Sequence, residues 1–244
     1  MRKRKTIESR QIRHVLDYCS KRKLNKHQKR AKKSNPTREE VARCNARLAA
    51  TKLMMYIDMN FNEGDYWVTL TYHKQPEPEE AKKDIQRFNR RMTELYRRND
   101  STYKYIYMVE GKTRIHFHVL MNRGFGIKVE HLRRYWKHGR IDIQLYQGQP
   151  EDAIRLASYY VKEERTAFDR KEEVFTRRWY SSQNLEKPKE RTEKLRSDFW
   201  REDIRPPKGW YVDTDSIFIG FNVEGYHYRS YRLLRIGEKS DDYT

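Results

Sequence analysis

No apolar run in this sequence approaches the roughly 20 residues that a bilayer-spanning helix requires, which excludes a membrane span. Cysteine is almost absent: Cys19 and Cys44 lack metal-type spacing, which predicts free thiols in a reducing, cytoplasmic setting. No hydrophobic stretch follows the basic start, so no secretory signal is expected. Acidic residues are scarce as well, with 35 Asp and Glu against 54 Lys and Arg and a formal net charge of +19. Hydrophobic residues make up 36%, enough for a modest core in one domain plus an extension or in two small domains. Aromatic residues, at 13% with 18 Tyr, are the counterweight.

The charge is unevenly spread. Residues 1–35 hold 14 Lys and Arg against Glu8 and Asp17, a net of +12. Such a block repels itself and is drawn to phosphate backbones by counterion release. A solubilising or localisation tail is the alternative. Nucleic-acid binding by Arg2, Lys3, Arg4, Lys5, Lys21, Arg22, Lys23, Lys29, Arg30, Lys32 and Lys33 is the preferred reading.

Patterning along the chain predicts an α+β fold, a central antiparallel sheet with helices packed on one face. Thr37 and Glu40 form a capping box opening a helix that runs to about Met59, within a basic and largely helical arm over 1–59. Tyr66–Tyr72 alternates like a strand. Pro76 and Pro78 precede a helix with Ile85, Phe88, Met92 and Leu95 at spacings of three and four. Strands at Tyr103–Val109 and Arg114–Met121 flank a turn at Gly111. A short helix near Val129–Lys137, a strand at Ile141–Tyr146 and a helix from Pro150 to about Arg165 follow. A strand at Arg177–Ser181, a charged helix over Pro188–Trp200 and a β-hairpin in Trp210–Ile236 complete the expectation, with 191–244 as a C-terminal extension.

On a strand, Ile115, Phe117, Val119 and Met121 face one way, and His116 and His118 the other. Two imidazoles so placed can share a metal ion, and hairpin pairing can bring the Glu110 carboxylate to the same face. In the helix after Pro150, Ala153, Leu156, Ala157, Tyr160 and Val161 make the apolar stripe. Asp152, Arg155, Tyr159 and Lys162 make a polar one. Tyr159 with Lys162 one turn on fits an activated nucleophile with a charge partner; a surface pair is the plainer alternative. Gly111-Lys112-Thr113 imitates the end of a phosphate-binding loop, but Ile106 occupies the position that needs glycine and the segment joins two strands.

Thr69-Leu70-Thr71-Tyr72, then Glu110 with His116-Phe117-His118, then Tyr159-Tyr160-Val161-Lys162 resemble, in order, the three motifs of the HUH endonuclease superfamily. Within it the pattern is similar to that of rolling-circle replication initiators of plasmids and phages, with Tyr180–Pro188 similar to a segment that follows the third motif. The resemblance implies an HUH/RRM-like, ferredoxin-like endonuclease domain over 60–190. It also implies a single-strand nick made by Tyr159, a covalent 5′-phosphotyrosine and a free 3′-OH. By the same resemblance His116, His118 and Glu110 are ligands of Mg²⁺ or Mn²⁺, Lys162 is an electrostatic partner, and Thr69, Thr71 and Tyr72 serve DNA contact and support. Single-stranded or hairpin origin DNA, with a host helicase and polymerase, are the implied partners. A transposase or mobilisation relaxase of the same superfamily is the chemical rival, although position 163 is Glu where such transposases usually carry Gln. A non-catalytic single-strand-binding module and a zinc hydrolase are the readings from other classes.

Overall fold

The computed structural model describes residues 2–19, 32–33, 35–111, 114–161, 174–196, 203–222 and 224–237. In chain order the elements begin with β1 (Arg2–Glu8), β2 (Ile12–Cys19), α1 (Arg38–Asn60) and β3 (Tyr66–Leu70). Next come α2 (Pro78–Arg98), β4 (Tyr105–Glu110), β5 (His116–Met121), α3 (Val129–Tyr135) and β6 (Ile141–Leu145). The chain continues through α4 (Pro150–Val161), β7 (Tyr180–Ser181), β8 (Lys189–Lys194), β9 (Trp210–Phe221) and β10 (His227–Arg235). The fold is α+β, but it holds two antiparallel sheets instead of the single one expected. Two compact units contain them: Met1–Cys44 with Pro188–Thr244, and Asn45–Lys187. No helix among the described residues is long and apolar enough to cross a membrane.

In the first unit the strand order is β8-β1-β2-β10-β9. The largely helical arm expected over 1–59 is therefore corrected at its start, since residues 2–8 and 12–19 are paired strands. Like-charge repulsion loses here because the few acids sit where they neutralise most. Asp17, fully buried, accepts from Arg4 Nε at 2.7 Å and from Arg229 Nη2 at 3.0 Å. Arg13 pairs with Glu8 at 2.9 Å, and Lys5 with Glu190 at 2.8 Å. The charged helix expected over Pro188–Trp200 is also corrected. Residues Lys189–Lys194 form β8, whose backbone groups complete the ladder of β1; that pairing outweighs the modest helix propensity of Lys and Glu. Positions 197–200 lie outside the described residues. The expected C-terminal hairpin is β9–β10, its turn held by Asn222 Oδ1, which accepts from the amides of Glu224 and Tyr226 at 3.1 and 2.8 Å.

In the second unit the order is β6-β3-β5-β4-β7. Alternation decides its two faces. Val68, Leu70, Phe117, Val119 and Met121 meet Ile85, Phe88 and Met92 of α2 and Leu132 of α3 in one apolar core. Helices were expected on this face alone. α4 lies against the other, with Tyr159 in contact with His118 and Trp67. The stripe read for α4 is buried throughout: Ala153, Leu156, Ala157, Tyr160 and Val161 are each at most 4% exposed. That burial fixes the rotation of the helix and leaves Tyr159 pointing along the polar face of the sheet.

Candidate active site

The site is built on the β4–β5 hairpin. Glu110, the last residue of β4, stands opposite His116, the first of β5. Gly111 then turns the chain at a φ of +102°, where an L side chain is strained, and a Cβ there would lie 1.8 Å from the Arg114 carbonyl oxygen. Only glycine lets the turn close this tightly, and the turn sets the carboxylate against the imidazoles. Gly111→Ala should accordingly weaken Mn²⁺ binding by about tenfold or more, comparable with the loss of an orienting partner around a metal. Calorimetric titration of the variant with Mn²⁺ checks this, and unchanged affinity would detach the turn from the site.

Four polar atoms converge across the hairpin and α4. His118 Nε2 lies 2.6 Å from Glu110 Oε2, and His116 Nε2 lies 3.4 Å from the same oxygen. The Tyr159 hydroxyl donates to Glu110 Oε2 at 2.7 Å and lies 3.3 Å from His118 Nε2. The outer ring nitrogens determine the tautomers. His116 Nδ1 faces the Arg114 carbonyl at 3.1 Å, an atom that can only accept, so Nδ1 carries the hydrogen and Nε2 keeps a lone pair. His118 Nδ1 faces Thr69 Oγ1 at 3.1 Å, and donation to that hydroxyl turns Nε2 of this ring inward in the same way.

Two imidazole lone pairs and a carboxylate aimed at one another repel unless a cation lies among them, either a proton or a metal ion. Burial opposes the charge on Glu110, but hydrogen bonds with His116, His118 and Tyr159 together outweigh it and hold the carboxyl well below its ordinary range. The bond to Glu110 correspondingly raises the pKa of His116, against the opposing effect of burial. The three ligand atoms lie within 4.8 Å of one another. Neighbouring donors around a small divalent ion stand about 3 Å apart, from metal–ligand distances near 2.1 Å, so Glu110, His116 and His118 fit such an ion.

Of the residues expected at DNA, Thr69 is near the site and steadies His118. Thr71 Oγ1 donates to the Arg140 carbonyl at 2.9 Å. Tyr72 is corrected: it shares its parity with Leu70, is 3% exposed, packs on Trp136 at 5.1 Å and donates to Asp84 at 3.3 Å, so it belongs to the core. Arg2 is buried and Arg4 is bound to Asp17, which removes both from an exposed phosphate-binding row. Lys3 and Lys5 are half-buried, while Lys32 and Lys33 are exposed. Lys162, Lys21, Arg22, Lys23, Lys29 and Arg30 lie outside the described residues. Trp67 was missed. Its ring meets Tyr159 edge-on at 6.3 Å and lies 6.5 Å from His118. Its parity with Thr69 on β3 was the available signal.

An antiparallel sheet bearing a two-histidine, one-carboxylate triad, with a tyrosine delivered from a helix across the same face, defines a nucleic-acid-processing class of site. Residues 65–165 match the family model for the replication-associated protein ORF2. The matched stretch runs from just before β3 to just past α4 and so includes Thr69, Glu110, His116, His118 and Tyr159. It agrees with the resemblance to rolling-circle replication initiators and supports a role in that form of DNA replication. No match was found among curated proteins or among solved structures.

Proposed function

We propose that this chain is a metal-dependent single-strand DNA endonuclease and strand transferase that starts rolling-circle replication, with Tyr159 as nucleophile. The observation that carries the proposal is the Tyr159 hydroxyl, hydrogen-bonded to Glu110 at 2.7 Å and 3.3 Å from His118 Nε2. A phenol held against a metal-type triad on the polar face of a sheet can reach a phosphate bound there. The reaction forms a bond from phosphorus to the tyrosine oxygen and breaks the bond from phosphorus to O3′. The phenolic proton is lost, and the departing O3′ gains one. Because the phosphotyrosine conserves the ester, an incoming 3′-OH reverses the step and rejoins strands.

His116, His118 and Glu110 would hold the Mg²⁺ or Mn²⁺, which supplies Lewis-acid polarisation of a phosphate oxygen when bound. Thr69 keeps the His118 ring in its ligating tautomer. Lys162, one turn beyond Tyr159, is assigned to stabilising charge on the phosphate, and Thr71 to support of the strand end. Lys3, Lys5, Lys21, Arg22, Lys23, Lys29, Arg30, Lys32 and Lys33 would add backbone attraction without sequence information. Origin DNA in single-stranded or hairpin form is the substrate, with unwinding and extension left to a host helicase and polymerase.

The test is incubation with a single-stranded DNA library and Mn²⁺, followed by capture of covalent adducts. The expected product carries a DNA 5′ end on Tyr159, located by peptide mass spectrometry, together with a released 3′-OH that a polymerase extends. An adduct on any other residue, or hydrolysis without an adduct, would sink the proposal.

A further inference from the structure

Beside the C-terminal end of α4, a groove of about 700 Å³ opens between α1 and the segment that enters and leaves β7. Lys52, Arg177, Arg178 and Lys187 line it, and none of its lining residues is acidic. Lys52, Arg177 and Lys187 are exposed. The neighbouring acid, Glu186, turns to Lys104 in an ion pair of 2.8 Å. Two partly exposed aromatic rings, Tyr56 and Trp179, also line the groove, their centroids 6.0 Å apart and tilted by 49°. Cations that track a backbone, interleaved with aromatic faces, are what single-stranded nucleic acid requires, since every base offers a π-face and every linkage a charge.

The groove is tied to the candidate active site. Arg178 Nη1 donates to the carbonyl of Val161, the last residue of α4, at 3.2 Å. Val161 follows Tyr159 by two residues, about 3 Å along the helix axis. A strand whose phosphate lies at Tyr159 would therefore leave the site past the end of α4 at the mouth of this groove.

From this we infer that the groove formed by Lys52, Tyr56, Arg177, Arg178, Trp179 and Lys187 is a binding channel for the single-stranded DNA that flanks the cleaved phosphate. The channel rests on the proposed cleavage reading for its purpose, but not for its existence as a single-strand site. Its phosphate contacts are worth affinity that falls with salt, and its rings favour unpaired over paired bases.

The test uses the full chain and a fluorescein-labelled, mixed-sequence 20-nucleotide single-stranded oligodeoxynucleotide, in EDTA so that no cleavage intervenes. In anisotropy titrations, Lys52→Ala combined with Arg177→Ala and Lys187→Ala should flatten the slope of log K against log salt by about 2, near 0.7 for each phosphate that is no longer neutralised. Trp179→Ala should weaken binding about fivefold or more, and Trp179→Phe should retain most of the affinity because a stacking face remains. Circular dichroism of each variant keeps a folding defect from passing as a binding loss. An unchanged slope in the triple variant overturns the channel, as does an equal loss of affinity for a duplex of the same length. If the slope is unchanged while Tyr159 still forms its adduct, the channel alone fails. If the slope flattens and no adduct ever forms, the cleavage reading alone fails.

Discussion

Tyr159→Phe should leave no detectable covalent protein–DNA adduct and no strand cleavage, while binding to single-stranded DNA stays within about twofold of the parent. Only one oxygen atom is removed. The ring that packs edge-on against Trp67 remains, and so does the apolar stripe that seats α4. Loss of a nucleophile lowers turnover by roughly four to six orders of magnitude in enzymes that depend on one. Tyr160→Phe is the matched comparison. Tyr160 is fully buried, and burial raises the pKa of its phenol, so it can neither reach a phosphate nor ionise readily. That variant should cleave at the parental rate. An adduct that survives Tyr159→Phe, detected by gel shift after denaturation, would move the chemistry to another residue and undo the assignment of helical faces.

His118→Ala should abolish cleavage as completely and, unlike Tyr159→Phe, should also remove Mn²⁺ binding. His118 is 6% exposed and makes three polar contacts, with Thr69, Glu110 and Tyr159. His116→Ala should act similarly, and EDTA should silence the parent protein. Glu110→Ala keeps both imidazoles, so cleavage should return at raised Mn²⁺. His118→Gln retains bulk in the buried position and separates loss of the ligand from collapse of the hairpin. Calorimetric Mn²⁺ titrations beside cleavage assays check the pair: a His118→Ala protein that still binds Mn²⁺ at parental affinity would remove this residue from the ligand set.

The parts of this protein that could be read in advance are those where local periodicity determines a face. On α4 the spacing of Leu156, Tyr160 and Val161 leaves a single rotation that buries them, and Tyr159 is then bound to point elsewhere. On β5 the alternation of Phe117 and Val119 with His116 and His118 does the same, and a short hairpin brings Glu110 opposite His116. Alternation also held the answer for Tyr72, whose parity with Leu70 places it in the core with Phe117 and Trp136. The first sheet was not legible. Asp17 meets Arg229 across 212 positions, and no local pattern discloses that partnership. Without it, residues 2–19 show only their charge, and Lys189–Lys194 shows only residues that favour helices in isolation. The groove beside β7 was hidden for the same reason, because Lys52 and Trp179 become neighbours only through the fold.

The sequence order of the two sheets has a consequence for synthesis. Every strand of the second sheet lies within one uninterrupted stretch, Asn45–Lys187, so that unit can close while the remainder is still being translated. Strands β1 and β2 emerge earlier, yet their neighbours β8 and β10 emerge only after it. A nascent chain therefore holds a finished catalytic unit while the two strands ahead of it still await both flanking partners. The buried Asp17 acquires Arg229 only with the last strand. Termination before β10 would release a chain with its candidate active site intact and its first sheet unable to close.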